Sequence, residues 1–195
     1  PVIGVGHSLG GVLTLLASYK APKLFKQVIL LDAPLFGVSK SSIIKIIKFL
    51  GLMHLVTPSK KTKKRQEVWE SKPALKSYLL SRKIFQNFND QCLNDYMSHG
   101  ICLSKEGQYH LRFNRDKESL IYKTVPHNMH RLAKKNHVPT SLIYSQSSHI
   151  IKKLDLIIME KKYSFKTSTC PGSHLFPFEY PEKTAEEILN HIISF

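Results

Sequence analysis

Two short apolar runs joined by a helical segment constrain the fold of this chain most strongly. Residues 1–6 (PVIGVG) are apolar and rich in β-branched side chains, which is typical of a strand buried in a parallel sheet. Residues 9–19 lack proline and carry apolar side chains at helical spacing, and residues 25–31 (FKQVILL) form the second run. Strand, helix and strand in such close succession predict a right-handed βαβ unit and therefore a parallel sheet.

The same pattern returns near the carboxyl end. Residues 140–144 (TSLIY) are predicted as a strand, residues 150–159 as a helix and residues 163–168 (YSFKTS) as another strand. Residues 181–193 are predicted as a closing helix, with proline in its first turn. The two ends of the chain together therefore predict an α/β core.

The middle of the chain differs from both ends in charge. The 195 residues include 29 Lys and Arg against 14 Asp and Glu, a formal net charge of +15, and 20 of the basic but only 7 of the acidic residues lie between positions 38 and 137. The spacing predicts helices over 42–55, 66–80 and 82–97, and a strand within 108–114. We therefore predict a basic, mostly helical insertion at 38–137, between core segments 1–37 and 138–195.

The densest basic run is Lys60–Arg65, and such a run is compatible with a solvated surface, with binding to an anionic ligand or membrane surface, or with nucleic-acid binding. The chain has 24 Lys and only 5 Arg, whereas recognition of phosphate and bases favours the forked guanidinium group. No nucleic-acid motif accompanies the run. The pattern favours a solvated surface, leaves membrane-surface contact open, and gives no reason to expect a nucleic-acid partner.

The cysteines indicate a reducing compartment. Cys92, Cys102 and Cys170 are odd in number and widely spaced, so they predict neither a disulfide framework nor a zinc ribbon. We therefore expect a cytoplasmic location. The most apolar stretch is interrupted by Lys45 and Lys48, and no apolar run reaches the roughly 18 residues that a membrane span needs.

A candidate nucleophile follows the first predicted strand directly. The sequence GHSLGG contains the pattern G-x-S-x-G between a strand and a helix, where a sharp turn would expose the hydroxyl of Ser8. Gly6 and Gly10 are expected on both sides of it because side chains there would collide across the turn, and Gly11 is expected to let the helix pack closely on the strand. The backbone N–H of Leu9, at the start of the helix, is a candidate oxyanion-hole donor.

The chain resembles the α/β-hydrolase fold family, specifically the hydrolases with a cap domain between the sixth and seventh strands. PVIGVGHSLGG is similar to the family's fifth strand and nucleophile elbow, and FKQVILLDAPLFG to its sixth strand. VPTSLIY is similar to the seventh strand, and YSFKTSTCPGSHLFPFEYPE to the eighth strand with its histidine loop. The resemblance implies an α/β fold consisting of the carboxyl-terminal half of the family's parallel sheet, with a mostly helical cap. It also implies that four strands are missing upstream.

His174 stands where the resemblance places the catalytic base, in a loop between the last predicted strand and the final helix. It would take the proton of Ser8 and return it to the leaving group. We interpret His7 as a packing residue. His127 and His130 have a spacing that could hold a metal, but a third ligand is lacking, so no metal is expected.

The catalytic acid is harder to assign. The family usually has an Asp after the seventh strand, and Ser148 occupies that position here. Some members carry the acid after the sixth strand, where Asp32 stands. Asp32 is therefore the candidate acid, although capping the turn before Pro34 is an alternative role, and Asp155 is a more distant candidate.

These residues predict a serine hydrolase that cleaves a small-molecule carboxylic ester or thioester through an acyl-enzyme, without a cofactor. The apolar, basic helix at 42–55 suggests a substrate with an apolar body or negative charge, although packing of the cap on the core would explain it equally well. The alternative is a non-catalytic relative that acts as a binding module. Because the resemblance places a second oxyanion-hole donor upstream, we expect this chain alone to be inactive or poorly folded.

Overall fold

A computed structural model describes residues 1–128 and 138–193 of the chain. It divides into two compact units. The core unit contains residues 1–41 and the described residues from 127 onward, and the insertion unit contains residues 42–126. The insertion predicted from the charge distribution was 38–137.

The described residues form short strands and helices. The strands are β1 (Val2–His7), β2 (Phe25–Leu31), β3 (Val68–Trp69), β4 (Ile101–Leu103), β5 (Tyr109–Leu111), β6 (Thr140–Ser145) and β7 (Lys166–Cys170). The helices are α1 (Leu9–Lys20), α2 (Val38–Phe49), α3 (Met53–Val56), α4 (Ser59–Lys63), α5 (Lys72–Leu80), α6 (Asp90–His99), α7 (Arg115–Lys123), α8 (Lys153–Tyr163), α9 (Phe176–Glu179) and α10 (Pro181–Ile193). None of the helices in this part of the chain is long and apolar enough to cross a bilayer.

The core unit is built on a parallel sheet with the strand order β1-β2-β6-β7, which confirms the predicted fold class. The registers pair His7 with Leu31 and Leu31 with Ile143, so the strands end close to one another along one edge of the sheet. Because the chain leaves each strand at this edge, the residues just after β1, β2, β6 and β7 are brought together there.

Apolar side chains cover both faces of this sheet. Val28 and Leu30 of β2 belong to the cluster that packs with residues of α1 and α8, whereas Ile29 and Leu31 belong to the cluster that includes Phe176. Successive side chains of a strand point to opposite faces, and all four are almost fully buried. The continuous apolar run in β2 is therefore explained by helices on both sides of the sheet.

The insertion unit contains a small antiparallel sheet that the sequence analysis did not predict. Its strand order is β3-β5-β4, and only β5 lies within the predicted strand at 108–114. The strands have two or three residues each, which is too short for an alternating pattern to be recognised. The apolar core of this unit packs helices α5 and α6 against the sheet through Leu75, Leu79, Leu93 and Met97.

Several predicted elements in the insertion are wrong in detail. The predicted helix at 42–55 is interrupted at Gly51, whose φ of 71° favours glycine, and continues only as the short α3. The predicted helix at 66–80 begins instead as β3, and α5 starts after Ser71, whose side chain accepts a hydrogen bond from the Ala74 N–H. Within the predicted helix at 82–97, Lys83–Phe85 form only a 3₁₀ turn, and the α-helix α6 begins at Asp90.

The last strand of the core unit also starts later than predicted. Tyr163 is the final residue of α8, and Ser164 has a left-handed backbone with a φ of 55°. The chain therefore enters β7 at Lys166, not at Tyr163. A left-handed residue after a helix is a common way to end it, and Ser in place of Gly left no strong sequence signal for this boundary.

Candidate active site

Ser8 occupies the turn between β1 and α1. Its φ of 52° and ψ of −120° lie in a strained region for a residue with a side chain, at a cost of about 1–3 kcal/mol. The turn is held on both sides, because the Ser8 N–H donates to the Leu31 carbonyl at 2.9 Å and the Ser8 carbonyl accepts from the Val12 N–H at 3.2 Å. The strand before it and the helix after it therefore fix the position of the Ser8 hydroxyl.

The glycines around Ser8 differ in what they make possible. A Cβ on Gly6 would lie 2.6 Å from backbone atoms of Gly10 and Gly11, and one on Gly11 would lie 2.6 Å from the Gly6 carbonyl oxygen. A Cβ on Gly10 would meet no atom within 4 Å, so the prediction that a side chain there would collide is wrong. The close contact across the turn is thus between Gly6 and the first turn of α1, and it needs glycine at positions 6 and 11.

The structure places Ser8, His174 and Asp32 in one hydrogen-bonded chain. The Ser8 Oγ lies 2.9 Å from the His174 Nε2, and the His174 Nδ1 lies 2.6 Å from the Asp32 Oδ2. Asp32 is fully buried, whereas the side chain of His174 is 27% exposed. A neutral imidazole in this position donates its Nδ1–H to the carboxylate and accepts the hydroxyl proton at Nε2, which is the arrangement needed to activate the serine.

Two further donors hold the Asp32 carboxylate. Its Oδ1 accepts a hydrogen bond from the Ser145 N–H at 3.1 Å, and its Oδ2 accepts one from the Ser148 Oγ at 2.6 Å. Asp32 itself has a φ of 44°, and its N–H donates to the Ile143 carbonyl. All the side-chain bonds described for Asp32 lead to other strands and loops, so they do not indicate the alternative role of capping its own turn.

Asp155, the more distant candidate acid, has other partners. Its Oδ2 accepts from the Lys152 N–H at 3.0 Å and lies 2.5 Å from the Nζ of Lys40. It is buried at the start of α8. Its contacts therefore explain it as a residue that caps a helix and pairs with a lysine.

His7 contacts the loop that carries His174, which the interpretation as a packing residue missed. The His7 Nε2–H donates to the backbone carbonyl of His174 at 2.7 Å, and the two ring centroids are 4.9 Å apart. Burial lowers the pKa of His7 from its ordinary value, although its bond to the carbonyl opposes this effect. A neutral His7 that donates from Nε2 fits both observations, and no local sequence signal distinguishes this role from packing.

The other end of the histidine loop is held by Glu179. Its Oε2 accepts from the Ser173 N–H at 2.6 Å, and its Oε1 accepts from the Ser173 hydroxyl at 2.5 Å. Gly172 has a φ of 96°, and a Cβ there would lie 2.5 Å from the Glu179 carboxylate. The loop is therefore anchored on both sides of His174, by Glu179 through Ser173 and by His7.

The remaining candidates can be placed briefly. Leu9 is the first residue of α1, where backbone N–H groups have no acceptor in the preceding turn. Within residues 1–128 and 138–193 there is no group of three or more His, Cys, Asp or Glu that could hold a metal ion. His130, one half of the predicted His127–His130 pair, lies outside the described residues.

Comparisons with known proteins find similarity in fold but not in sequence. No protein-family model and no curated protein matches the sequence, whereas many solved structures match the fold. They include the peroxisomal α/β-hydrolase Lpx1 from Saccharomyces cerevisiae, with a TM-score of 0.74 and 18% identity over 99% of this chain and 54% of that one. A thioesterase domain from the curacin biosynthetic pathway matches with a TM-score of 0.67 and 19% identity over 97% of this chain and 65% of that domain.

An esterase from M. tuberculosis matches with a TM-score of 0.72 and 14% identity, over 99% of this chain and 62% of the esterase. The chain thus spans between about half and two thirds of the length of these three structures. In this chain the parallel sheet, the turn at Ser8 and the loop at His174 lie in the core unit. The chain has the α/β-hydrolase fold and corresponds to part of it.

Proposed function

We propose that this chain is the catalytic part of a serine hydrolase that cleaves a carboxylic ester or thioester through an acyl-enzyme. The observation that carries the proposal is the continuous hydrogen-bonded chain from the Ser8 Oγ through the His174 imidazole to the buried Asp32. A buried carboxylate behind the imidazole stabilises the imidazolium that forms when the serine loses its proton. A purely structural role for these three residues would not require this order of contacts.

The proposed reaction begins with attack of the Ser8 Oγ on the carbonyl carbon of the substrate, while the His174 Nε2 takes the hydroxyl proton. The Leu9 N–H, supported by the amino-terminal end of α1, donates to the oxygen that becomes negatively charged. His174 then gives its proton to the leaving alcohol or thiol. In the second half, the His174 Nε2 takes a proton from a water molecule, which attacks the carbonyl carbon of the acyl-enzyme. The Ser8 Oγ then leaves and takes this proton back from His174, so the acid is released and the free serine is restored.

The substrate class follows from this chemistry and from the fold. Ester and thioester carbonyls are attacked by an activated serine, and proteins of similar fold are described as an esterase and as a thioesterase domain. The proposal therefore names a small-molecule ester or thioester as the substrate. We also propose a cytoplasmic location, because three cysteines that are widely spaced in the sequence do not indicate a disulfide framework.

An active-site probe tests the proposal directly. A fluorophosphonate should label Ser8, because it reacts only with an activated serine hydroxyl, and the Ser8→Ala variant should remove the label. The Ser98→Ala variant is the matched control, since Ser98 is exposed on α6 and its hydroxyl donates to the Asn94 carbonyl. The probe should be applied to this chain and to any longer form of the protein that contains it.

The alternative function is that of a non-catalytic binding module. The sequence feature that favoured it was the lack of an acid at Ser148, but the Ser148 hydroxyl donates to Asp32, which carries the carboxylate instead. Absence of labelling in a folded preparation of the longer protein would favour the binding module and would refute the hydrolase.

A further inference from the structure

A cavity lies wholly within the insertion unit, and its lining residues lie between positions 61 and 111. None of the candidate catalytic residues falls in this part of the sequence. Its volume is about 570 Å³, which is within the range of roughly 300–1,000 Å³ that small-molecule sites occupy. It is bordered by residues of α4, β3, α5 and α6. The lining of the cavity combines aromatic rings with basic side chains.

The aromatic side of the cavity is formed by Trp69, Tyr78, Phe85 and Tyr96. The ring centroids of Trp69 and Tyr78 are 5.2 Å apart, and those of Phe85 and Tyr96 are 5.0 Å apart. All four belong to, or pack against, the apolar core of the insertion unit. Tyr78, Phe85 and Tyr96 are only partly buried, whereas Trp69 is 4% exposed. Because packing already restricts the three partly buried rings, they can contact a flat apolar group at little further cost in side-chain entropy.

The charged side is formed by Lys61, Lys64, Arg65 and Arg82. Three of these belong to the basic run Lys60–Arg65, to which the proposed hydrolase mechanism assigns no role. Arg65 is paired with Glu118, and its guanidinium binds both carboxylate oxygens. The guanidinium of Arg82 lies 4.2 Å from the ring centroid of Tyr78, so it extends the aromatic surface with a positive charge.

The other three cations differ from Arg65 in their partners. Among the described residues, Lys61, Lys64 and Arg82 make no ion pair with a carboxylate, and no Asp or Glu lines the cavity. Positive charge at the mouth of an aromatic cavity attracts anions and favours those that bring an apolar ring with them. A purely apolar ligand would make no use of the cations, and a small inorganic anion would make no use of the aromatic rings.

We propose that the insertion unit binds a small phosphorylated aromatic compound, of the class of nucleoside or aryl phosphates. The ring lies against the aromatic wall, and the phosphate is bound by Lys64 and Arg82, with Lys61 adding to the positive potential. Because these cations are exposed, water and salt weaken each contact, and we expect a dissociation constant on the order of 10–1,000 μM that rises with salt.

The sole tryptophan of the chain makes this site easy to observe. Trp69 lines the cavity, so its fluorescence and its single indole N–H signal in NMR both report on binding there. Adenosine monophosphate supplies a ring and a phosphate, adenosine the ring alone, and inorganic phosphate the charge alone. We expect adenosine monophosphate to change the Trp69 signals at a concentration at least tenfold lower than either of the other two.

Alanine variants test whether Lys64 and Arg82 contribute to the affinity for adenosine monophosphate. Lys64→Ala and Arg82→Ala should each weaken binding of adenosine monophosphate about five- to tenfold, as expected for the loss of one charge-assisted contact. Lys76→Ala is the matched control, since Lys76 is exposed on α5 but does not line the cavity. The affinity of Lys76→Ala for adenosine monophosphate should equal that of the unchanged chain. Circular dichroism shows whether each variant is folded.

Three results would overturn the assignment. The first is an unchanged Trp69 signal in folded protein at millimolar adenosine monophosphate, and the second is equal loss of affinity in Lys76→Ala. The third is an adenine oligonucleotide that binds far more tightly per nucleotide than the monophosphate, which would indicate a nucleic-acid interface. The Ser8→Ala variant should bind as the unchanged chain does, so this test is independent of the proposed hydrolase.

Discussion

The change of Asp32 to Asn tests the proposed acid most directly. The carboxylate accepts hydrogen bonds from three donors, which are the His174 Nδ1–H, the Ser145 N–H and the Ser148 hydroxyl. An amide has only one oxygen, so in either orientation its NH₂ group faces at least one of these donors. If the amide oxygen remains with Ser145, then the NH₂ group meets the Nδ1 of His174.

The expected consequence is a change of tautomer. His174 would accept at Nδ1 and carry its proton on Nε2, which could then no longer take the proton of Ser8 at 2.9 Å. In a serine protease triad the corresponding change lowers kcat about 10⁴-fold, equivalent to about 5.5 kcal/mol. The unmatched donor in a fully buried position should also lower the free energy of unfolding by about 1–3 kcal/mol.

The assay compares kcat and KM for a p-nitrophenyl ester in Asp32→Asn and Asp155→Asn, in a form of the protein that the fluorophosphonate labels. Asp155→Asn breaks the pair with Lys40 and should reduce stability, but kcat should change less than about threefold because Asp155 does not contact His174. Equal losses of kcat in the two variants, measured on folded protein, would refute the assignment of Asp32 as the acid.

Three further predictions concern Ser148, the glycines beside Ser8, and His7. Ser148→Ala should lower kcat about 3- to 30-fold without raising KM, because Asp32 loses one hydrogen-bond donor. Ser148→Thr keeps the hydroxyl and should retain most of the rate, so identical rates in the two variants would contradict this prediction. Gly6→Ala should lower the free energy of unfolding, measured with urea, by at least about 2 kcal/mol, because its Cβ would lie 2.6 Å from backbone atoms of Gly10 and Gly11. Gly10→Ala has space for its Cβ and should be neutral or stabilising by up to about 1 kcal/mol. The reverse order of stabilities would show that the turn is packed differently. Burial lowers the pKa of His7, so the unfolded chain binds this proton more readily than the folded chain does. The free energy of unfolding should therefore fall as the pH drops below 6.5 and level off below the pKa of the folded state. In His7→Gln the urea midpoint should depend less on pH between about pH 7 and 5, and an unchanged dependence would argue against a buried neutral His7.

The local features around the nucleophile could be predicted from the sequence. The apolar run of β1, the GHSLGG turn and the helix after it are encoded within a few consecutive residues, because each depends on local propensity and on small side chains. The parallel sheet could be predicted as well, since the apolar runs of β2 and β6 are too continuous for strands with one solvated face.

The insertion could be predicted only coarsely. Its charge distinguished it from the core, but strands of two or three residues carry no recognisable period, and a single glycine at position 51 was enough to break a predicted helix. The cavity beside Trp69 joins residues from 61 to 111 and depends on how several short elements pack. Composition indicated a basic surface and could not indicate an aromatic wall behind it.

The choice of acid shows most clearly where the sequence stops being informative. It offered Asp32 as the candidate acid because of the resemblance, with Asp155 as a more distant candidate and Ser148 at the usual acid position, but spacing along the chain could not show which of them contacts His174. The tertiary structure supports Asp32 as the proposed acid, because the backbone after β2 turns its side chain toward His174 while Asp155 is held by α8 and Lys40. Sequence determined which strands, turns and residue types are present, since these depend on neighbours along the chain. The side-chain partners of the buried Asp32 lie more than 100 positions away along the chain, and only the folded chain specifies them.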